Sequence, residues 1–384
     1  MNGQLVDRVR SRLASGTDGL GMAQVAGQES ALLLDSGALS ELTGQLTAEL
    51  TGAGPLEDAL SAEGVTDVLV NAPDQVWVDR GHGLERWPLY FESDAAVRRL
   101  ATRLAAQAGR RLDDAAPYVD AALPDGTRLH AILPPLVAHP TLSLRVLARR
   151  RLSLSDLVEL GALPADLAEL LAALIDARLT MLISGGAGTG KTTLLAALLG
   201  TVGPCERIIT IEDAAELAVD HPHVVALLAR AANVERAGDV PLRELVRQSL
   251  RMRADRIVVG EFRGAEIVEL LGALNTGHDG GAATVHANSV SDVPARLIAL
   301  AALGGMSAAA LVAQAASALD LLVHIRRDRG GRRRVEQVAL WPRLGDQPEP
   351  RLVWNRTGGL HPAAAELTRR LDEAQLPVPS LLRS

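Results

Sequence analysis

The chain has 384 residues, enough for two domains that each bury a core, and its 48% hydrophobic and 22% charged content is the balance of a soluble globular protein. Aromatics make up only 2%, so the cores must be built from Leu, Val, Ile and Ala. A formal charge of −7 and a pI near 5.8 argue against a sequence-independent nucleic-acid coat, which needs a basic face, and the single cysteine, Cys205, excludes an intrachain disulfide and fits a reducing compartment.

Residues 1–38 are polar and weakly patterned and read as a flexible arm with no apolar secretory h-region; Leu42–Leu50 follows as a short helix. A small α+β domain is expected over 39–148. VTDVLVN (65–71) predicts a strand, Ala72-Pro73-Asp74-Gln75 a turn and VWVD (76–79) an antiparallel return. Ala95–Ala108 has helical spacing, with Val97, Leu100, Leu104 and Ala108 near one face. Two strands flank the turn Pro124-Asp125-Gly126, and TLSLRVL (141–147) alternates in polarity.

The basic run Arg149-Arg150-Arg151 opens a linker expected over 149–160. From 161 to 342 strands alternate with helices, which predicts a mainly parallel sheet covered on both faces. The strands are LTMLIS (179–184), RIITI (207–211), HVVALL (223–228), RIVV (256–259) and ATVHA (283–287). Helices are expected over 165–177, 192–199, 241–252 and 265–274, and a late hairpin over 323–340 turns at Gly330-Gly331. Leu297–Leu319 is uncharged and long enough to cross a bilayer, but it is Ala-rich and broken by Gly304-Gly305, so two short buried helices are expected. Residues 343–384 read as a Pro-interrupted tail with one short helix.

The strongest chemical signal is Gly185-Gly186-Ala187-Gly188-Thr189-Gly190-Lys191-Thr192, a phosphate loop (Walker A) between an apolar strand and a helix. Its glycines let backbone N–H groups curl around phosphates, and the helix N-terminus adds a favourable dipole. Lys191 can reach the β- and γ-phosphates of ATP, and the Thr192 hydroxyl, next to Thr193, can ligate Mg²⁺. Acids follow the next strands: Glu212-Asp213 after RIITI and Glu261 after RIVVG. Carboxylates at C-terminal strand ends can hold a magnesium ion or its waters, or orient an attacking water. His278, before a Gly-rich turn, and His286, on a strand, are candidates to face the nucleotide or to partner a carboxylate.

Several segments in one order resemble the CpaF branch, the tight-adherence pilus type, of the type II/type IV secretion ATPases: GPLEDAL (54–60), VTDVLVNAPD (65–74), VDAALPDGTRLHAILPPL (119–136), LSLRV (142–146), TIEDAAEL (210–217), NVE (233–235), LRMRADRIVVGEFRG (250–264), and NTGHDG through TVHANS (275–289). The likeness runs from about residue 45 to about residue 341, with Ala72 where Gly is usual and Phe262 where a smaller aliphatic residue is usual. The resemblance implies a hexameric ring whose chains each carry an N-terminal sensor-like (PAS-like) α+β domain and a RecA-like P-loop ATPase domain, with nucleotide between them. It puts Glu212 and Asp213 in an acidic box, Glu261 in the Walker B segment, His278 and His286 in a histidine box, and Arg128 and Arg145 where N-terminal-domain residues reach the phosphates. A guanidinium suits that task because it offers paired donors to a developing phosphoryl charge.

The function this implies is a Mg-dependent ATPase motor for pilus assembly or protein secretion, cytoplasmic at the inner face of the membrane and working on a polytopic inner-membrane platform protein. No stable nucleic-acid binding is expected. The alternative on the same core is a type IV secretion or conjugative DNA-transfer ATPase. A cassette-type transporter ATPase is disfavoured by the lack of an LSGGQ-type signature, and a dead assembly subunit by intact Lys191, Thr192, Glu212 and Glu261.

Overall fold

The computed structural model describes residues 52–81, 83–146, 151–230, 238–328, 330–343 and 349–383. The arm over 1–38, the helix over Leu42–Leu50, Arg149-Arg150 of the basic run and the NVE motif at 233–235 lie outside the described residues. Two compact units divide the chain between Leu147 and Ala148.

In the first unit the strands β1 (Asp67–Ala72), β2 (Gln75–Asp79), β3 (Leu84–Arg86), β4 (Tyr118–Ala122), β5 (Arg128–Ile132) and β6 (Thr141–Arg145) form one sheet in the order β3-β2-β1-β6-β5-β4. Every neighbouring pair is antiparallel. Helices α1 (Glu57–Ser61) and α2 (Asp94–Gln107) accompany it, and Ser93 caps α2 by accepting the Ala96 N–H. The buried stripe of α2, Val97, Leu100, Ala101, Leu104 and Ala105, packs with Val68, Val70, Leu129, Leu142 and Leu144 of the sheet. Since alternate strand residues point to opposite faces, Arg145 lies away from that core. The register sets it directly across from Asp67 on one side and Arg128 on the other, so the three side chains share a face. Arg145 Nε donates to Asp67 Oδ1 at 2.9 Å.

The second unit holds β7 (Met181–Ser184), β8 (Ile208–Glu212), β9 (Val224–Leu228), β10 (Arg256–Phe262), β11 (Ala282–Val285), β12 (Leu321–Arg327), β13 (Arg333–Leu340), β14 (Arg351–Asn355) and β15 (Gly359–Leu360), ordered β15-β14-β13-β12-β7-β11-β10-β8-β9. The strands from β12 to β9 run parallel, while β13, β14 and β15 are antiparallel additions at one edge. Its helices are α3 (Leu154–Glu159), α4 (Ala165–Asp176), α5 (Lys191–Leu199), α6 (Leu242–Ser249), α7 (Glu266–Leu274), α8 (Val293–Leu303), α9 (Ala308–Ala318) and α10 (Ala364–Glu373). Every residue of β7, β8 and β11 is buried. Cores on both faces explain this: one gathers α4, α5 and α10, the other α6, α7, α8 and α9.

Two expectations change. The segment read as a linker over 149–160 contains α3, which Ser153 and Asp156 close with a reciprocal capping box and whose Leu157 enters the core of the second unit. The segment read as a tail from 343 supplies β14 and β15 to the sheet, and Leu367 and Leu371 of α10 to its core. α3, β14 and β15 are too short to show a period in the sequence. Helices α8 and α9 meet at 118°, and among the described residues no single helix is long and apolar enough to cross a membrane.

One ion pair anchors the lower edge of the parallel sheet. Arg256, fully buried at the start of β10, is gripped by Glu206 through Nε at 2.9 Å and through its terminal nitrogen at 3.2 Å, and also donates to the carbonyls of Ile175 and Gly280. Removing the carboxylate leaves a guanidinium buried without its counter-charge. Glu206→Ala is therefore expected to cost about 3 kcal/mol, a fall of about 6–12 °C in the melting temperature of the full chain followed by circular dichroism; an unshifted melt would show the pair to be dispensable.

Candidate active site

Parallel strands deliver their C-terminal ends to one rim, and here adjacent strands deliver the candidate residues in order. The phosphate loop leaves β7, His286 follows β11, Glu261 lies near the end of β10 and Glu212 ends β8. The order β7-β11-β10-β8 makes neighbours of groups far apart in the chain, Lys191 and His286 being separated by 95 positions.

The loop is tightly drawn. A side chain at Gly185 would meet the Ile325 carbonyl oxygen at 2.4 Å, so only glycine lets β12 run this close. Gly190, just before α5, takes a left-handed φ of 94°, and the Thr189 hydroxyl donates to the Gly186 carbonyl at 2.9 Å. Lys191 is 6% exposed, and its ammonium meets three acceptors: the Gly186 carbonyl at 3.0 Å, His286 Nδ1 at 3.3 Å and Glu261 Oε1 at 3.5 Å. Because an ammonium can only donate, His286 Nδ1 accepts, which leaves the N–H at Nε2 to donate to Glu261 Oε1 at 2.9 Å. Arg263 Nε donates to the other oxygen, Oε2, at 2.7 Å.

Electrostatics follow from this packing. Burial holds the Lys191 ammonium below its usual range, with Glu261 pulling partly back. Burial, then the charge of Lys191, pushes His286 down as well, which keeps the ring neutral near pH 7. Burial alone would raise Glu261, but the Arg263 hydrogen bond and the charges of Lys191 and Arg263 bring it below the usual carboxylate value. Glu261 is therefore ionised and held on both oxygens.

A local irregularity aims it. The register of β10 against β11 shifts between Val259 and Phe262, and the buried Thr284 hydroxyl donates to the Gly260 carbonyl at 2.6 Å. A Cβ at Gly260 would sit 2.8 Å from Glu212 Cγ, so the two acidic strand ends touch through a glycine.

Glu212 is engaged by the backbone of the loop that follows it. It is 5% exposed, and its Oε1 accepts the backbone N–H groups of Glu216 at 3.0 Å and Leu217 at 2.9 Å, tying down the loop after β8. Asp213 is half-exposed, 3.7 Å from the Arg263 guanidinium. Arg263, which the motif reading passed over, thus bridges the two acidic segments. His278 is displaced from the site predicted for it. It precedes β11, at the end of the parallel strands opposite the phosphate loop, and its Nδ1 bonds the Ala273 carbonyl at 3.2 Å. His286 alone of the two histidines joins the cluster. Arg128 and Arg145 belong to the first unit and pair across β5 and β6.

Beside the loop opens a cavity of about 340 Å³. Leu152, Leu157, Leu160 and Ala162 give it an aliphatic wall; Thr192, Thr193, Glu216 and Arg333 give it polar groups. Among the described residues no three His, Cys, Asp or Glu side chains converge on a metal position. Magnesium keeps several waters and leans on substrate phosphates, so its protein ligands are few. The Thr192 hydroxyl at the head of α5 and the half-exposed Asp213 fit such a role, whereas the backbone-bound Glu212 oxygen does not.

A phosphate loop between β7 and α5, with a carboxylate one strand beyond its neighbour, defines a RecA-like P-loop nucleotide-binding protein preceded by a smaller α+β unit. The chain belongs to the family described as Type II/IV secretion system protein, which matches residues 49–341. It is similar to a putative conjugal transfer protein of Mycobacterium tuberculosis, 56% identical over 329 residues that cover 84% of this chain and 94% of that one. The probable conjugal transfer protein TrbB of Sinorhizobium fredii is 34% identical over 282 residues, 72% of this chain and 83% of that one. Among solved structures, the pilus retraction motor PilT with bound ADP shares the fold at a TM-score of 0.52 and 20% identity, over 73% of this chain and 80% of that one.

If Glu261 acts on the attacking water, Glu261→Gln keeps the shape and loses the base. Mg-ATP binding is expected to persist while turnover falls by about 10²–10⁴-fold in a steady-state assay; wild-type turnover would move the water-orienting role to another group.

Proposed function

We propose that the chain is a Mg-dependent ATPase motor subunit that powers transport or pilus assembly at the cytoplasmic face of the inner membrane. The observation that carries the reading is the meeting of Lys191, Glu261 and His286 at the mouth of the phosphate loop. The loop amides and Lys191 bind the β- and γ-phosphates; Thr192 and Asp213 would hold a hydrated magnesium ion, which would neutralise phosphate charge. The nucleoside enters the aliphatic cavity. Glu261 orients the water or takes its proton, and His286 keeps Glu261 in place. Arg128 and Arg145, side by side on their sheet, are proposed as donors to the developing γ-phosphate charge. The subunits work as a homo-hexamer against a polytopic membrane platform protein.

A second reading concerns the cargo. The M. tuberculosis and S. fredii relatives are both described as conjugal transfer proteins, which supports conjugative DNA transfer as the alternative cargo. Stimulation of turnover by single-stranded DNA would separate the two.

The reading as a motor predicts that Lys191→Ala abolishes ATP turnover with the far-UV circular dichroism spectrum unchanged, and that light scattering with a non-hydrolysable analogue gives a hexamer. Substantial turnover in Lys191→Ala would place the active site elsewhere, and a monomer at tens of micromolar would contradict a ring.

A further inference from the structure

The late hairpin does more than close the sheet. Its first strand, β12, runs parallel to β7, pairing His324 with Ser184 immediately before the phosphate loop, and the buried Ser184 hydroxyl and His324 Nδ1 lie 3.0 Å apart. One residue on, the Ile325 carbonyl presses on Gly185. The hairpin and the root of the loop are therefore one packed body. Its turn is also braced: Asp328 Oδ1 accepts the N–H groups of Gly330 and Arg332, each at 2.9 Å. Arg333, the first residue of β13, is paired with Arg327 and leans over the loop from the outside.

There its Nε donates to the Gly188 carbonyl at 3.0 Å, and its Cδ lies 3.2 Å from where a Gly190 Cβ would stand. The same side chain lines the cavity together with Thr192 and Thr193. In a planar trans peptide the C=O and the following N–H point in opposite directions. Drawing the Gly188 carbonyl outward therefore turns the Thr189 N–H inward, toward the space the phosphates occupy. A guanidinium is suited to this because its planar, permanently charged fork can hold a carbonyl in a fixed direction.

We propose that Arg333 is a positioning residue of the nucleotide site: it fixes the phosphate loop through Gly188 and sets a positive charge where the cavity meets the loop, against the phosphate–ribose side of the nucleotide. The inference rests on the ATP reading of the loop. Its effect falls on nucleotide affinity, since Arg333 does not join the cluster around Glu261.

The test compares Arg333→Ala and Arg333→Lys with the wild-type full chain. Displacement of a fluorescent ADP analogue by Mg-ATP gives Kd, a steady-state assay separates KM from kcat, and hydrogen exchange reads the Thr189 amide without nucleotide. Arg333→Ala is expected to raise Kd and KM about tenfold, leave kcat within about threefold, and speed exchange at Thr189. Arg333→Lys recovers part of the loss, because it keeps the charge without the fork. Melting temperatures without nucleotide stay level, since the residue is exposed. Kd and KM within about twofold of wild type in Arg333→Ala would overturn the proposal, as would a lowered melt with unchanged affinity. Absence of ATP binding in the wild type would instead remove the ATP reading, and the proposal with it.

Discussion

A lysine ammonium taken out of water needs an acceptor for each of its N–H bonds, and Lys191 has three within 3.5 Å: a loop carbonyl, a neutral imidazole and a carboxylate. The rest of the second unit can be understood as the means of bringing those groups to one point. The loop bends because Gly185 and Gly190 allow it; the imidazole arrives on the neighbouring strand; the carboxylate arrives one strand further, aimed by a register shift. Each partner belongs to a different crossover of the sheet, so the site exists only when the parallel core is formed. The buried Arg256–Glu206 pair helps hold that core from the opposite edge.

Such an arrangement is self-satisfied, and phosphate must compete with it. Burial lowers the ammonium's pKa, and the attraction of Glu261 only partly offsets this. An incoming phosphate brings more negative charge than Glu261 alone, which gives Lys191 reason to turn to it. Glu261 then loses the Lys191 charge while the His286 N–H and the Arg263 guanidinium remain. In the proposed mechanism, binding and the preparation of the carboxylate are one event. Arg263 extends the same logic outward, since it ties Glu261 to Asp213.

The parts legible in the residues were those with a period or a fixed spacing. Apolar strands alternating with helices, the phosphate loop, and the acids at the ends of β8 and β10 are legible in the residues, because each is a local signal. What could not be read depended on topology. His278 and His286 are only eight residues apart, yet the four-residue strand β11 between them puts them at opposite ends of the sheet. Arg333 is one arginine of several in a hairpin that looks merely solvated, and it gains meaning only because β12 inserts beside β7. Arg263 gave no signal beyond being a charged residue after a strand. The short β14 and β15 were hidden among prolines, and Glu212, identical in sequence terms to a catalytic acid, proves to be bonded to backbone.

The central claim is that nucleotide binds where Lys191, Glu261 and His286 meet. Hydrogen-exchange mass spectrometry of the full chain, with and without a non-hydrolysable Mg-ATP analogue, tests it most directly. The account predicts that protection appears in peptides covering residues 185–193, 259–264 and 284–288. Protection confined to other segments, with these three unchanged, would contradict it.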